Sequence, residues 1–322
     1  MLHVAKLLAK RLFFEVASSP PAIAHKLRRL RKNGRLTILN FHRVGPDDGS
    51  TYAPLSPAVF EDTIRFCQQN FAILTFGELA DFATKSGKPP AIISFDDGYQ
   101  DFAEFAAPIL NRHGVRCNIN LIPACLETGL PPLNVQAQDF IGQASASALS
   151  SLEVPGFALA AGKERGELGR RLSNFIKQKP IAEQKTLARI LRPQFEAERR
   201  FAPAPMMSVE TARKVCEPYE IGAHSFEHAT LSCESDDYVR KDAEECAAYF
   251  RENFGRATDI YAVPNGGFRA NFRHILEEAG FRHILLTGDD YSQADSHLHP
   301  RFGMYGENSA ELRYRATGFV RH

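Results

Sequence analysis

The chain has 322 residues, 44% of them hydrophobic and 24% charged, with a formal net charge of +1. That length can bury a sizeable core as one elaborated domain or two ordinary ones, and the near-neutral balance excludes a general electrostatic pull toward nucleic acid or membrane. Six scattered cysteines, Cys67, Cys117, Cys125, Cys216, Cys233 and Cys246, form no CxxC pair, which argues against a disulfide framework and for a reducing compartment.

Residues 1–34 read as a basic amphipathic segment. Val4, Leu7, Leu8 and Leu12 recur at helical spacing, while Lys6, Lys10 and Arg11 interrupt every apolar run and residues 26–35 are strongly basic. No hydrophobic region of a secretory signal survives, and nothing approaches the ~18 apolar residues of a membrane span. The expectation is a cytoplasmic protein whose first helix packs on the domain or lies on the inner face of an anionic membrane. Short apolar runs then recur: "LTILNF" (36–41), "AIISF" (91–95), "CNINLIP" (117–123), "EIGAH" (220–224), "DIYAVP" (259–264) and "RHILLT" (282–287). Helical patterns over 57–69, 99–113, 236–254 and 271–279 lie between them, three of them stopped by Gly114, Gly255 and Gly280. Strand–helix alternation predicts a parallel sheet with right-handed crossovers, hence an α/β barrel over residues 35–322. The stretch 126–205 breaks this rhythm between "GLPPLN" and "FAPAPMM" and reads as a mainly helical insertion.

Three signals sit where strands of such a sheet end, which is where ligands bind in α/β folds. "SFDDG" puts Asp96 and Asp97 after a strand, and a helix cap explains one acid but not two. "IGAHSFEH" puts His224 and His228 four apart, on one face if the chain turns helical there. Two imidazoles and one carboxylate make a three-ligand metal site with positions left open. His42, in "LNFHRV", follows the first strand and is a candidate proton donor, provided that its pKa is near or above the working pH.

"SFDDGYQDF", "HSFEH" and "YAVPNGG" together resemble the polysaccharide deacetylases, the NodB-like enzymes of carbohydrate esterase family 4, over residues 35–125 and 205–305. The leading "FHRV" is similar to the exopolysaccharide, poly-N-acetylglucosamine branch. The resemblance implies a distorted (β/α)7-type barrel and a metal-dependent N-deacetylase. It implies Asp96 as general base, Asp97, His224 and His228 as ligands of a divalent ion (Zn²⁺, with Co²⁺, Ni²⁺ or Fe²⁺ open), and His42 as general acid. It further implies Asn265, after Pro264, as an oxyanion contact and Arg301 as the partner of Asp96. Tyr99 and Tyr261, with Phe226 and Phe268, are candidate walls of a sugar groove. The sequence departs from the family in lacking tryptophan, an arginine before Pro264 and a clear late L-x-H, although His297 and His299 lie nearby.

The expected partner is an N-acetylated glycan, in a polymer or linked to a lipid that the basic N-terminus would approach, and not nucleic acid. A deformylase or deacylase of a lipid-linked sugar, an amidase of small cyclic imides, and a non-catalytic glycan-binding protein on the same fold remain alternatives.

Overall fold

The apolar runs do become parallel strands. The computed structural model describes residues 2–81, 87–159 and 164–318, with side chains from residue 9 onward. Its strands are β1 (Thr37–Phe41), β2 (Ala72–Leu74), β3 (Pro90–Phe95), β4 (Asn118–Leu121), β5 (Glu220–Ala223), β6 (Ile260–Ala262), β7 (His283–Thr287) and β8 (Leu298–Gly303). Each ladder between them is parallel. The order β1-β8-β7-β6-β5-β4-β3 closes because β1 also pairs with β3. β1 occupies one edge of β3 from Ala91 to Phe95, so the other edge is shared, with β2 against Pro90–Ile92 and β4 against Ser94 and Phe95. The result is a seven-stranded α/β barrel with β2 as a short addition outside the ring.

Two strands escape a reading by apolar runs. β2 is only three residues long, and β8, "LHPRFG", carries Pro300 and Arg301, which normally argue against a central strand. The helices follow their amphipathic patterns. The helix after β5, Asp236–Phe254, starts where Ser235 Oγ accepts from the Tyr238 N–H and ends at Gly255 with φ 63°. The helix after β3 passes through a π-turn, Phe102–Ala106, before Ala107–Arg112. Phe41, Phe60, Phe95 and Phe102 interlock between sheet and helices at centroid distances of 5.0–5.7 Å.

Between β4 and β5 the chain forms helices Leu133–Gln143, Ala146–Ser151, Arg165–Lys177 and Ile181–Glu196. They bury a second core of their own, in which Phe140 stacks on Phe195 at 4.5 Å beside Leu172 and Leu191. Two helices precede β1, Leu2–Ala17 and Pro20–Lys32, separated where Pro20 and Pro21 restart the helix. The first runs beside the helix Ser309–Ala316: Lys10 pairs with Glu311 at 3.4 Å and Phe14 meets Tyr314 at 5.4 Å. The expected apolar face at Val4, Leu7 and Leu8 lies outside the described side chains. Leu12, on that same face, is exposed, as are Phe13 and Val16. Among the described residues no helix is long and apolar enough to cross a membrane.

Candidate active site

The C-terminal ends of β1, β3, β5 and β6 carry His42, Asp96 with Asp97, His224, and Pro264 with Asn265. The backbone at this rim is unusual. Asp97 has φ 76°, Ser225 57°, His228 62° and Asn265 57°, left-handed values that cost such residues about 1–3 kcal/mol each. Gly98 follows with φ 88° and turns the chain away behind the acid pair. Such strain persists only where the surrounding structure over-determines it, and here it clusters on the motif residues.

Asp97, His224 and His228 converge. One ligand atom from each lies within 4.8 Å of the others, all three side chains are buried, and Nε2 of His224 and His228 stand 3.3 and 3.6 Å from Asp97 Oδ1. The histidines do not meet on a helix face. Residues 224–230 form an irregular loop, bent by the left-handed Ser225 and His228, so the expectation of a helical turn is corrected while the pair still converges. Asp242 pins that loop from the helix behind it. Its Oδ1 accepts from Ser225 Oγ at 2.8 Å and the Phe226 N–H at 2.9 Å, and its Oδ2 accepts from Tyr261 Oη at 2.5 Å. His224 donates Nδ1–H to the Ala262 carbonyl at 2.9 Å, which directs Nε2 at Asp97.

These residues fit a cation. Asp97 Oδ1 is buried without a hydrogen-bond partner, an arrangement that costs about 1–3 kcal/mol unless something satisfies it. Two nitrogen donors and one carboxylate oxygen suit a borderline divalent metal. Without a cation, burial works to raise the Asp97 pKa, but His224, His228 and His42 outweigh it and hold the group ionised. Burial brings His228 down to about 3, so it is neutral and ready to ligate. At His224 burial is overcome by Asp96 and Asp97, which raise its pKa.

Asp96 is held differently. Arg301, 2% exposed, reaches across the barrel from β8 and grips both its oxygens at 2.8 Å, while Asn120 and Asn40 donate to Oδ1 at 2.7 Å and Oδ2 at 3.0 Å. Burial alone would raise this carboxyl, yet Arg301 and His224 push it far below the usual carboxylate range. His42 Nε2 lies 3.8 Å from Asp96 Oδ2 on the open side, with the His42 side chain 34% exposed. Desolvation lowers the His42 pKa more than Asp97 and Asp96 raise it. In this environment His42 is less basic than a free imidazole.

Two candidate groove residues are also corrected. Tyr261 is fully buried and bonded to Asp242, so it supports the histidine loop instead of facing a ligand. Tyr99 is fully buried as well, under the Arg43 guanidinium at 5.2 Å. Asn265 is exposed and donates its amide to Thr230 Oγ1 at 2.9 Å. His299 is sealed against Ser292 and His283, and His297 pairs with Glu277. Three residues that the sequence reading missed adjoin the site. Tyr52, part-exposed, stands edge-on to His42 at 6.2 Å. Asp242 is an acid on the buried face of its helix, between Val239 and Cys246, a visible anomaly. Lys177, from the insertion, feels Asp97 and in turn lowers His228; no sequence signal marks it.

Residues 198–284, which carry the histidine motif, match the family model described as polysaccharide deacetylase. No curated protein matches the chain. Among solved structures, the Streptococcus pyogenes deacetylase PplD in complex with acetate superposes with a TM-score of 0.58 at 14% identity, over 88% of this chain and 98% of that one. IcaB from Ammonifex degensii gives 0.56 at 16% identity, over 88% and 97%. A de-N-acetylase from Aggregatibacter actinomycetemcomitans gives 0.51 at 12% identity, over 87% and 99%. At these identities the likeness is one of fold. The chain thus shares its barrel fold with these structures and matches, over residues 198–284, the family model described as polysaccharide deacetylase.

Proposed function

We propose that the chain is a metal-dependent N-deacetylase of an N-acetylated sugar, in a polysaccharide or a lipid-linked glycan. The observation that carries this reading is the buried Asp97 Oδ1, which no hydrogen bond satisfies, facing two imidazole nitrogens at 3.3 and 3.6 Å beside a second carboxylate that Arg301 holds. The two acids thereby divide their work. Asp96 is oriented by Arg301, Asn40 and Asn120, which leaves Asp97 as the ligand.

Asp97, His224 and His228 would hold a divalent cation, Zn²⁺ first and Co²⁺, Ni²⁺ or Fe²⁺ by the same donor set, which supplies Lewis acidity toward the acyl oxygen and the attacking water. Asp96 accepts the proton that the water loses as its oxygen bonds to the acyl carbon. So acidic a carboxyl keeps a proton only briefly, and neutral His42, 3.8 Å away, is the better holder. His42 then delivers it to the sugar nitrogen as the C–N bond breaks, leaving acetate and a free amine. The Asn265 N–H, fixed by its left-handed backbone and the bond to Thr230, is the proposed contact for the oxyanion. Tyr52 takes the wall position that Tyr99 and Tyr261 cannot.

A lipid-linked substrate is favoured by the N-terminal helices. Leu12, Phe13 and Val16 are exposed on the first, and Arg28, Arg29, Arg31 and Lys32 are exposed on the second, a pairing that suits an anionic membrane surface. Six free thiols, five of them buried, support a reducing, cytoplasmic setting. The test of the catalytic reading is acyl release from N-acetylglucosamine oligomers and from an N-formyl analogue, with Asp96→Asn and His42→Ala as controls. Acetate release lost in both variants, with the bound metal retained, is expected. Formate release alone would make the chain a deformylase, and release unaffected by either variant would remove the proposed roles.

A further inference from the structure

The helical insertion is fastened to both sides of the barrel mouth. On the His42 side, Ser50 Oγ donates to Asp139 Oδ1 at 2.6 Å, and Thr51 donates N–H and Oγ1–H to the Gln138 carbonyl at 3.3 and 3.0 Å. Gly142 sits so close to the Gly49 carbonyl that a Cβ would overlap it. On the histidine side, the Ile181 N–H donates to Glu234 Oε1 at 2.6 Å and Lys185 pairs with Glu227 at 2.7 Å. Cys233 Sγ lies 4.0 Å from the Lys177 carbonyl. The helix Arg165–Lys177 therefore ends against the turn Leu231–Cys233 that follows the loop of His224 and His228, and its last residue lies within Coulombic reach of Asp97 and His228.

Lys177 differs from its neighbours. Lys179 pairs with Glu183 and Lys185 with Glu227, whereas the half-buried Lys177 ammonium has no hydrogen bond or ion pair among the described residues. The acids close to this rim are already matched, Asp96 by Arg301, Asp101 by Arg43 and Glu227 by Lys185. Three further acids there have no cationic partner, but Asp139 accepts from Ser50 and Ala204, Asp242 from Ser225, Phe226 and Tyr261, and Glu234 from the Ile181 N–H, none of them from Lys177. A half-desolvated ammonium with no counter-ion is completed by an anionic group of a ligand.

We propose that Lys177 determines specificity by recognising an anionic substituent, a carboxylate or a phosphate ester, on the acylated sugar or its immediate neighbour. The proposal rests on the deacetylase reading for the position of the acyl group, and its test is separable from that reading. Calorimetry on the full chain without metal compares N-acetylglucosamine, N-acetylglucosamine 1-phosphate and a glucuronate–N-acetylglucosamine disaccharide, in wild type, Lys177→Met and Lys177→Arg. The wild type is expected to bind at least one charged sugar about tenfold or more tighter than the neutral one, as one charge-assisted hydrogen bond provides. Lys177→Met abolishes that preference and Lys177→Arg retains it. In the loaded enzyme the same loss raises KM for the charged substrate and leaves kcat within about twofold. Preference for the phosphate alone, the uronate alone, or both supports the proposal and says which anion is read. Equal or undetectable binding of all three by the wild type, or a preference that survives Lys177→Met, overturns it. If the preference holds while no acyl group is released from any probe, the anion site stands and the deacetylase reading fails.

Discussion

Arg301→Met is the sharpest probe of how the two acids share their work. The guanidinium is 2% exposed and makes five contacts. Two go to Asp96 at 2.8 Å, and one each to Asn40 Oδ1 at 3.0 Å, Ser94 Oγ at 3.2 Å and the Leu286 carbonyl at 3.3 Å. Methionine approximates its volume and strands a buried carboxylate. Breaking a buried pair from one side costs about 3–5 kcal/mol, mostly for the charge left behind. Asp96→Asn with Arg301→Met removes both charges, and more than half of that loss is expected to return, a coupling of about 2–3 kcal/mol. The pH dependence has a definite sign. In the wild type the Asp96 pKa is depressed, so its stabilisation is present above the unfolded value, ~3.9, and fades as pH falls toward the folded value. In Arg301→Met burial is left in command, the pKa rises above ~3.9, and a penalty grows with pH above that point. The gap between the two proteins is thus widest near neutrality and narrows toward pH 4. Urea unfolding of metal-free protein at pH 7 and pH 4 measures it. A loss below about 1 kcal/mol at pH 7, or a gap independent of pH, would refute the reasoning.

Other expectations follow from neighbouring groups. Asp242→Leu should leave the barrel folded but free the loop of His224 and His228, lowering metal affinity about 10–100-fold; calorimetric titration with Zn²⁺ reads this, and unchanged affinity would show that the loop needs no anchor. Buried His228 and His299 are both brought down to about 3. Each loses about 1.4 kcal/mol of stability per pH unit below the unfolded value of ~6.5, an effect that raised His224 and Asp101 offset in part, so His299→Phe should narrow any loss of metal-free stability to urea between pH 7.5 and pH 5.5. Because the His224 pKa is raised while Asp97 is held ionised and His228 neutral, proton release on Zn²⁺ binding should increase as pH falls from 8 toward 6, seen as a buffer-dependent calorimetric enthalpy. Leu12→Glu with Val16→Glu should reduce sedimentation with phosphatidylglycerol vesicles and leave stability unchanged, since both side chains are exposed; equal sedimentation would detach the first helix from any membrane role.

The barrel was legible because parallel strands buried on both faces read as continuous apolar runs, and six of its strands did. β8 was not, because the barrel interior is polar where the site is built, and Arg301 interrupts the pattern that would have revealed the strand. The same polarity was written into "LTILNF" and "CNINLIP", where Asn40 and Asn120 sit in otherwise apolar runs. A buried amide in a strand needs a partner, and both find Asp96. The acid and histidine motifs announced themselves by position after strands, since adjacent acids and paired imidazoles there lack an ordinary structural purpose. Their backbone did not, because left-handed Asp97, Ser225 and His228 are imposed by Asp242 and by packing from elsewhere in the chain. Tyr99 and Tyr261 were misjudged for a related reason: adjacency to a motif does not say which way the strand of Tyr261, or the turn that Gly98 makes before Tyr99, points a ring. Lys177 was illegible because a lysine at a helix end is ordinary until tertiary contacts bring that end beside Cys233 and the histidine loop before it.

Metal content against site composition tests the central claim most directly. Wild type, Asp97→Ala, His228→Ala and Asp96→Asn, reconstituted with Zn²⁺ and freed of loose ions, are assayed by elemental analysis. One ion per chain is expected in the wild type and in Asp96→Asn, and none in the other two. An ion that survives loss of Asp97 and of His228, or that leaves with Asp96, would contradict the assignment of one acid to the cation and the other to the proton.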